Sequence, residues 1–394
     1  MLRLYWLCAL IALSGAACST TSTTIQKSDG GAGGDTAGGS SGGGGDAGSS
    51  GSAGSSASGG SAGQAGGASG SAGTGGSAGT GGSAGTGGSA GTGENCTTPL
   101  SDCNGASCPV EDLYTNLGTI SGLVVAANQL YFTHGVDNRA VLVKAPKQGG
   151  CPEVMVSDLA PVGTLRDLVN DTNSLWVATS DVGRQVLRVD KDTAQVNVLV
   201  DGTFCSAPRP LIAQNSTRVF FACGTSGGFV GRLEKQGGAP TLHVDPSPQP
   251  LQATSLAASD NWVFWADGSI IRVDTTDGSN GGTVTIDTDI MRVAVGLSGL
   301  YAQHPTEVWR TGPDGSGPEL FIENLSAVSN FTTQAGFVAV ADNKDGNGER
   351  IVGRGEQLPS QRVYSDTEGR VTGLAADAKY VYWAASGAIR RRAR

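Results

Sequence analysis

Short apolar runs separated by polar turns fill the chain from about residue 120 to its C-terminus. The turns are rich in Gly, Asp and Asn, the residues that most readily reverse the chain between strands. Asp267-Gly268 is a strong example, because this dipeptide favours the two-residue hairpin that joins antiparallel strands. The pattern therefore predicts a domain of short β-strands and tight turns.

An aromatic or apolar anchor residue recurs seven times on these runs, 37 to 45 residues apart. The anchors are Tyr131, Trp176, Phe220, Phe264, Tyr301, Val338 and Tyr382. The strand after each anchor carries one basic residue, and these are Lys144, Arg188, Arg232, Arg272, Arg310, Arg354 and Arg390. A repeat of about 40 residues built from short strands is typical of β-propellers. We therefore expect an all-β fold, a seven-bladed β-propeller, with six blades as the alternative.

Each repeat divides into four short strands, but the seventh stops after three of them at Arg394. Residues 110–117 precede the first repeat and follow a Cys-Pro pair, as the fourth strand of the first repeat also does. We expect this N-terminal segment to complete the last blade. Closing the ring in this way would protect the sheet edges that an open array exposes.

The first residues indicate an export signal. Arg3 is followed by an apolar stretch over residues 4–13, and small residues then precede Cys18. About ten apolar residues are too few for a permanent membrane span. Small residues before a cysteine resemble the bacterial lipobox, although Gly replaces its usual Leu. The resemblance implies a lipoprotein signal peptide over residues 1–17, cleavage before Cys18 and acylation of its thiol, as with palmitate; a plain secretory signal is the alternative.

Residues 18–95 are almost entirely Gly, Ser, Ala and Thr after the lipidated cysteine. Such a segment has no apolar surface to offset its ordering entropy, so we expect a disordered linker that holds the propeller domain, residues 96–394, away from the membrane. The lipid would anchor the protein to a membrane surface without crossing it. Ser19, which follows the cysteine, resembles the sorting signal for the outer membrane in some Gram-negative bacteria.

Six further cysteines follow the linker, namely Cys96, Cys103, Cys108, Cys151, Cys205 and Cys223. An even number in an exported chain predicts disulfides, and no CxxC pair occurs to suggest zinc. Cys205 and Cys223 flank the first strand of the third repeat, so we predict that they pair. We expect the other four to pin the entry segment to the propeller, with Cys151 as one partner.

Two segments resemble a known propeller repeat. Phe264-Trp265-Ala266-Asp267 with Ile271-Arg272, and Tyr382-Trp383-Ala384 with Ile389-Arg390, are similar to the YWTD repeat of lipoprotein-receptor-type proteins and their bacterial relatives. The resemblance covers residues 110–394 as a pattern and implies a propeller that binds a ligand or a protein. Only Asp267 keeps the Asp of the motif, and that family has six blades, so no binding residue is carried over.

Candidate catalytic side chains are few. His134 and His304 end the second strands of repeats one and five, in blades that are not adjacent, so a shared metal site is not expected. His243 is expected at the surface. The innermost strands contain Asp167 but otherwise mostly Val, Leu, Ala, Ser, Thr, Gly and Asn. An active site normally needs several convergent carboxylates or histidines, so no catalytic residue is assigned.

The remaining charged groups are expected to be structural or solvated. The seven basic residues are predicted to pair with neighbouring carboxylates or carbonyls rather than to form a positive ring. Asp345, Asn347 and Glu349 alternate as calcium ligands can, but they lack the EF-hand spacing, so a polar hairpin loop is expected. No metal or cofactor is predicted. The Arg-rich residues 390–394 are expected to form a frayed basic tail.

These patterns predict an envelope lipoprotein whose propeller is a non-enzymatic binding or scaffold module with a protein or glycan partner. The alternative is a propeller hydrolase or lyase that acts outside the cytoplasm through residues such as His134 and Asp167. A net charge of −9 argues against a nucleic-acid partner.

Overall fold

The computed structural model describes residues 96–394, except 104–106, 162–164, 181–184, 203, 205–210, 224–227, 245–252, 269, 280, 285, 287–288, 345 and 347. The predicted signal peptide, Cys18 and the linker to residue 95 lie outside the described residues. The part that is described contains strands and turns and no helix. Accordingly, no helix within it is suited to crossing a membrane.

The strands form seven four-stranded antiparallel sheets, which are the blades of a seven-bladed β-propeller. Strand β1 is Glu111–Tyr114. Blade 1 comprises β2 (Ile120–Ala126), β3 (Gln129–Val136), β4 (Arg139–Pro146) and β5 (Glu153–Pro161). Blade 2 comprises β6 (Leu165–Asn170), β7 (Ser174–Thr179), β8 (Val186–Asp190) and β9 (Val196–Val200). Blade 3 comprises β10 (Leu211–Gln214), β11 (Arg218–Cys223), β12 (Phe229–Glu234) and β13 (Thr241–Val244).

The remaining blades follow the same order from the centre to the rim. Blade 4 comprises β14 (Ser255–Ala258), β15 (Trp262–Asp267), β16 (Ile270–Thr275) and β17 (Gly281–Val284). Blade 5 comprises β18 (Arg292–Val295), β19 (Leu300–Gln303), β20 (Val308–Thr311) and β21 (Glu319–Ile322). Blade 6 comprises β22 (Val328–Gln334), β23 (Phe337–Asn343), β24 (Glu349–Gly355) and β25 (Arg362–Glu368). Blade 7 comprises β26 (Val371–Ala376), β27 (Tyr380–Ala385), β28 (Ala388–Ala393) and, from the other end of the chain, β1.

The N-terminal strand closes the ring, as the unfinished seventh repeat predicts. Strand β1 pairs antiparallel with β28, with Glu111 opposite Arg391 and Asp112 opposite Arg390. Both ends of the domain are therefore hydrogen-bonded into one blade, and the described sheets number seven rather than six.

Apolar side chains fill the space between each pair of neighbouring blades. Every residue of β7 and of β27 is buried, whereas the first three residues of the rim strand β9 are exposed. This gradient follows from face-to-face packing, which covers both sides of a second strand and leaves one edge of the outer strand in water. The apolar residues of the described chain form seven clusters, one at each blade interface.

The anchor residues face the next blade in six repeats, but Val338 does not. Six anchors occupy the third residue pair from the hairpin that joins the first two strands of their blade. In blade 6 the third pair is Ala339 with Thr332, and Ala339 packs toward blade 7. Val338 packs toward blade 5 instead. The prediction for Val338 is wrong because a shift of one residue along a strand moves a side chain to the other face.

Four of the basic residues lie opposite one of the six anchors that face the next blade, and the contacts of three of them agree with the predicted structural role; Lys144, opposite Tyr131, is the fourth. Arg188, Arg232 and Arg310 each lie opposite an anchor and donate to a carbonyl of the next blade. The acceptors are Lys235 O at 3.5 Å, Asp277 O at 3.1 Å and Glu356 O at 3.4 Å. These arginines therefore connect consecutive blades.

Three of the predicted basic residues lie one residue away from the position that Arg188, Arg232 and Arg310 occupy in their blades. Arg272 and Arg390 pair with the tryptophan that follows the anchor, and Arg354 pairs with Val338. Arg354 consequently donates back to Phe321 O of blade 5 at 2.6 Å. In blade 7 the equivalent of the blade-bridging arginines is Arg391, not Arg390.

The Arg-rich C-terminus is an integral strand rather than the frayed tail that its composition predicts. Arg391 is fully buried, and Arg390 donates to Asp112 at 2.7 Å. Arg392 donates to Tyr364 O at 2.6 Å, and Arg394 donates to Asp377 O at 2.6 Å. Sequence composition alone missed this role, because the pairing partner β1 lies almost 280 residues away in the chain.

Candidate ligand site in the central channel

A central channel runs between the seven innermost strands. Its volume is about 840 Å³, within the range of ordinary ligand pockets. The charged residues among its described lining are Asp167, Arg292 and Arg370. Arg370 is exposed and precedes β26, so it lies at the mouth where the inner strands begin. The channel is thus an open cavity with few charges.

One level of the channel brings together four polar side chains, including two of the three charges in its described lining. Each member of this level lies on the innermost strand of its blade and pairs with a residue of the second strand. That residue comes two positions after the anchor, or after Ala339 in blade 6. From blade 1 to blade 7, this polar ring is Gly122, Asp167, Leu211, Ser255, Arg292, Asn330 and Gly373. Asp167 in blade 2 and Arg292 in blade 5 are three blades apart, and therefore lie on opposite sides of a seven-bladed ring.

Asp167 is partly buried in the wall of the channel. Its Oδ2 accepts the backbone N–H of Ile212 in blade 3 at 3.3 Å. Burial raises the pKa of Asp167 to about 6, although the N–H of Ile212 and the positive charge of Arg292 oppose that rise. The carboxylate is therefore mostly ionised at neutral pH in a poorly solvated position.

Arg292 is held beside Asn330, its neighbour in the polar ring. Its Nη1 donates to Asn330 Oδ1 at 3.1 Å, and the same oxygen accepts the backbone N–H of Phe331 at 2.8 Å. Burial lowers the pKa of Arg292, and the attraction of Asp167 partly offsets this effect. Arg292 and Asp167 influence each other electrostatically but form no ion pair.

Three other polar side chains of the channel bond to neighbouring blades. Ser255 Oγ donates to Val293 O at 3.2 Å and accepts Val293 N–H at 3.1 Å. Asn170 donates to Val125 O at 3.1 Å, and Thr333 donates to Val295 O at 2.8 Å. These bonds run from one inner strand to the next, so they fix the diameter of the channel.

The two glycines of the polar ring are required by blade packing. A Cβ on Gly373 would lie 2.8 Å from the Cβ of Leu123, and one on Gly122 would lie 3.1 Å from the Cβ of Leu168. Each leucine belongs to the next blade. The absence of a side chain at these positions lets consecutive inner strands approach closely.

The structure separates the histidines from Asp167. Neither His134 nor His304 lines the channel, so the predicted pair of His134 and Asp167 does not form a site there. His243 lies on the rim strand β13, but its side chain is fully buried and packs edge-on against Phe220. The surface prediction for His243 is wrong because Asp274 of the next blade covers it, with Nε2 3.8 Å from Oδ2.

The calcium-like loop is only partly described. Asp345 and Asn347 lie outside the described residues. Glu349 is buried and accepts the backbone N–H of Val371 at 2.6 Å, which commits it to the contact between blades 6 and 7. Within the described residues, no three His, Cys, Asp or Glu side chains form a metal-binding group.

Disulfide bonds hold the entry segment. Cys96 bonds to Cys151, which ties this segment to blade 1. Cys103 bonds to Cys108, so this pair closes a local loop and does not pin the segment to the propeller as expected. Cys223 is also disulfide-bonded. Its predicted partner, Cys205, lies outside the described residues.

A groove of about 770 Å³ between blades 2 and 3 is a weaker candidate. Its charged residues already have partners: Asp171 lies 3.3 Å from Lys235 Nζ and accepts the indole N–H of Trp176 at 2.9 Å. Arg188 stacks over the same indole ring. The groove therefore uses its charges to join two blades.

Sequence analysis identified Asp167 but missed Arg292 and Asn330. Counting residue pairs outward from each inner hairpin places all three at one level. This count can be made from the sequence only after the hairpins have been located, because no sequence motif marks the residues of the polar ring.

The chain matches no family model and no curated protein. Among solved structures it is similar to an oligogalacturonate lyase in complex with manganese, at 13% identity over 68% of this chain and 86% of that one, with a TM-score of 0.53. It is also similar to BamB from Moraxella catarrhalis, at 12% identity over 70% and 86% of the two chains, with a TM-score of 0.45. A nidogen–laminin complex gives 15% identity over 55% and 84%, with a TM-score of 0.39. At these identities the likeness shows the β-propeller fold and nothing about activity.

Proposed function

We propose that this protein is a bacterial envelope lipoprotein whose seven-bladed propeller is a non-enzymatic binding module. Acylated Cys18 would hold it at a membrane, by preference the outer membrane, and residues 19–95 would tether the propeller. The partner would be a protein or a glycan of the envelope. The predicted export signal, the small residues before Cys18 and the disulfide-bonded entry segment support this proposal.

The observation that carries the binding function is the construction of the channel wall. Hydrogen bonds from Ser255, Asn170 and Thr333 to carbonyls of neighbouring blades hold the inner strands together, so the cavity has a fixed shape before any ligand binds. Rigid, pre-shaped walls reduce the entropy cost of binding. Asp167 and Arg292 remain as charges that face the cavity with few bonds of their own.

The test is cross-linking of the full-length protein in its native envelope, followed by identification of what co-purifies. The control is a tether that retains residues 1–95 and lacks the propeller. A stoichiometric partner that is lost with this control supports a binding module. Recovery of the same partner by the tether alone contradicts it. A Cys18→Ser variant should leave the membrane fraction, whereas retention there would contradict the lipid anchor.

A second candidate is a hydrolase or lyase acting outside the cytoplasm, and Asp167 is the observation that favours it. A carboxyl group with a pKa of about 6 is suited to transferring protons near neutral pH. Its test is turnover of envelope polysaccharides and peptides by the purified protein, with Asp167→Asn as the matched control. Turnover by the wild-type protein that is lost in Asp167→Asn would favour the enzyme over the non-enzymatic binding module.

A further inference from the structure

Neither Asp167 nor Arg292, the two charges of the polar ring, has a compensating ion in contact, although both lie in the wall of a cavity. An ionised carboxylate has about four sites for hydrogen bonds. Asp167 accepts the backbone N–H of Ile212 in the neighbouring blade at 3.3 Å, and also the backbone N–H of Leu168 in its own strand, so about half of these sites are used. A guanidinium has five N–H donors, and Arg292 uses one of them on Asn330. Both groups thus retain capacity for a ligand inside a cavity of about 840 Å³.

Asn330 adds a directed donor beside Arg292. Its Oδ1 accepts two hydrogen bonds, from Arg292 and from the backbone of Phe331. This arrangement identifies the opposite atom, Nδ2, as the amide donor, and no described residue accepts from it. A guanidinium with an adjacent amide N–H forms a cradle that matches a carboxylate.

The opposite wall has the complementary chemistry. Asp167 is the one carboxylate among the described residues that line the channel. A simple anion on Arg292 would be repelled by Asp167, and a simple cation on Asp167 would be repelled by Arg292. A molecule that carries both charges meets an opposite charge at each end, so the cost of desolvating each of its charged groups is offset by a partner in the wall.

We infer that the channel binds a small zwitterionic molecule, with its carboxylate on Arg292 and Asn330 and its ammonium group on Asp167. This inference rests on the proposed binding function and names the ligand class of the channel. Ser255, at the same level, is already committed to Val293, so it sets the width of the site without selecting the charge.

The experiment measures binding to the full-length protein by calorimetry. The probes are unbranched ω-amino acids from glycine to ω-aminooctanoate, which vary the separation of the two charges. For each length, the alkanoate and the alkylamine with one charge serve as controls. We expect one length to bind best, at least about tenfold more tightly than either single-charge analogue, because each end gains a charge-assisted hydrogen bond.

Variants then test the two ends separately. Asp167→Asn and Arg292→Gln should each weaken binding of the best probe by about tenfold or more, and Arg292→Lys should retain more affinity than Arg292→Gln. Asp158→Asn and Arg139→Gln make the same chemical changes at an exposed ion pair and should leave affinity unchanged. Near-ultraviolet circular dichroism checks that each variant is folded.

Three results would overturn the inference. The first is an alkanoate that binds as tightly as the best ω-amino acid, which would define a plain anion site. The second is the absence of binding by any probe to the folded wild-type protein. The third is binding that survives both Asp167→Asn and Arg292→Gln. A partner that still cross-links to Asp167→Asn would leave the proposed binding function standing while the zwitterion site fails.

Discussion

Two arginines of this propeller contrast in how their charge is compensated. Arg391 in β28 is fully buried, donates to Glu111 at 2.6 Å and to two carbonyls, and lies 4.3 Å from the centre of the Tyr380 ring. Arg292 in β18 is partly buried in the channel wall and donates to Asn330. One charge is surrounded by partners, and the other faces a cavity.

The contrast separates structural from functional charge. The partners of Arg391 come from β1, the entry segment and blade 1, so this residue gathers the elements that close the ring. Arg391 donates from all three of its nitrogens and is fully buried, so it is not accessible to a ligand. Arg292 and Asp167 keep unused donors and acceptors, at a cost in stability that a purely structural pair would avoid.

The largest effect should come from removing the elements that Arg391 joins. Deleting residues 110–117 removes Glu111 and exposes an edge of β28, so we expect loss of the cooperative thermal transition of the whole domain in calorimetry. Deleting residues 30–90 of the tether is the control and should leave that transition in place. An unchanged transition without residues 110–117 would show that closure by β1 is dispensable.

Replacing each arginine with Ala sharpens the comparison. Arg391→Ala leaves Glu111 in a largely buried position without its partner, so we expect unfolding to become about 3–5 kcal/mol easier. Arg292→Ala should change the free energy of unfolding by about 1 kcal/mol or less, because it loses one hydrogen bond and relieves a poorly solvated charge. Denaturant titration measures both. Equal losses would mean that Arg292 is as structural as Arg391.

Asp167→Asn should stabilise the domain at neutral pH. The pKa of Asp167 is raised to about 6 in the folded protein, so the unfolded state ionises first as the pH rises. Wild-type stability therefore falls relative to the variant between about pH 4 and pH 6, and the difference stays at about 2–3 kcal/mol above that window. Below pH 4 the two proteins should be alike. The other charges lining the channel, Arg292 and Arg370, are unchanged in both.

Unfolding curves of both proteins recorded from pH 4 to pH 8 test whether Asp167→Asn raises the free energy of unfolding as the pH rises. The neutral amide keeps an oxygen that can accept the N–H of Ile212, so the comparison isolates the charge. A variant that is less stable than wild type at pH 7 would assign Asp167 a structural role, as a bond between blades 2 and 3.

The smallest effect is expected at an ion pair on the surface. Arg139 and Asp158 pair at the rim of blade 1, and each side chain is 57% exposed. Asp158→Asn should lower the free energy of unfolding by less than about 1 kcal/mol, because water solvates both charges. A larger loss in denaturant titration would show that exposure alone does not rank the charges of this domain.

Much of the fold could be predicted because the repeat is local. Aromatic anchors such as Trp176 and Tyr382 lie on buried second strands, and the missing strand of the last repeat is supplied by residues near position 111. Each of these predictions needs only a spacing and a turn. The prediction of seven blades follows from the same count.

The predictions from sequence failed where a shift of one residue along a strand decides which blade a side chain contacts. Val338, Arg272, Arg354 and Arg390 all keep the expected residue type and are displaced by one position from the equivalent residues. Strands have a period of two, so such a shift reverses the face, and composition does not report it. His243 was missed for a related reason: its cover comes from the neighbouring blade.

The sequence by itself determined the all-β repeat, the number of blades and the closing strand, because strand patterns and turn residues act over a few positions. Only the tertiary structure decided which polar side chains meet in the channel. Asp167, Arg292 and Asn330 come from three different blades and share a level through hairpin register alone. Whether a buried charge such as that of Arg391 has partners depends on packing between distant segments, and a local pattern carries no record of it.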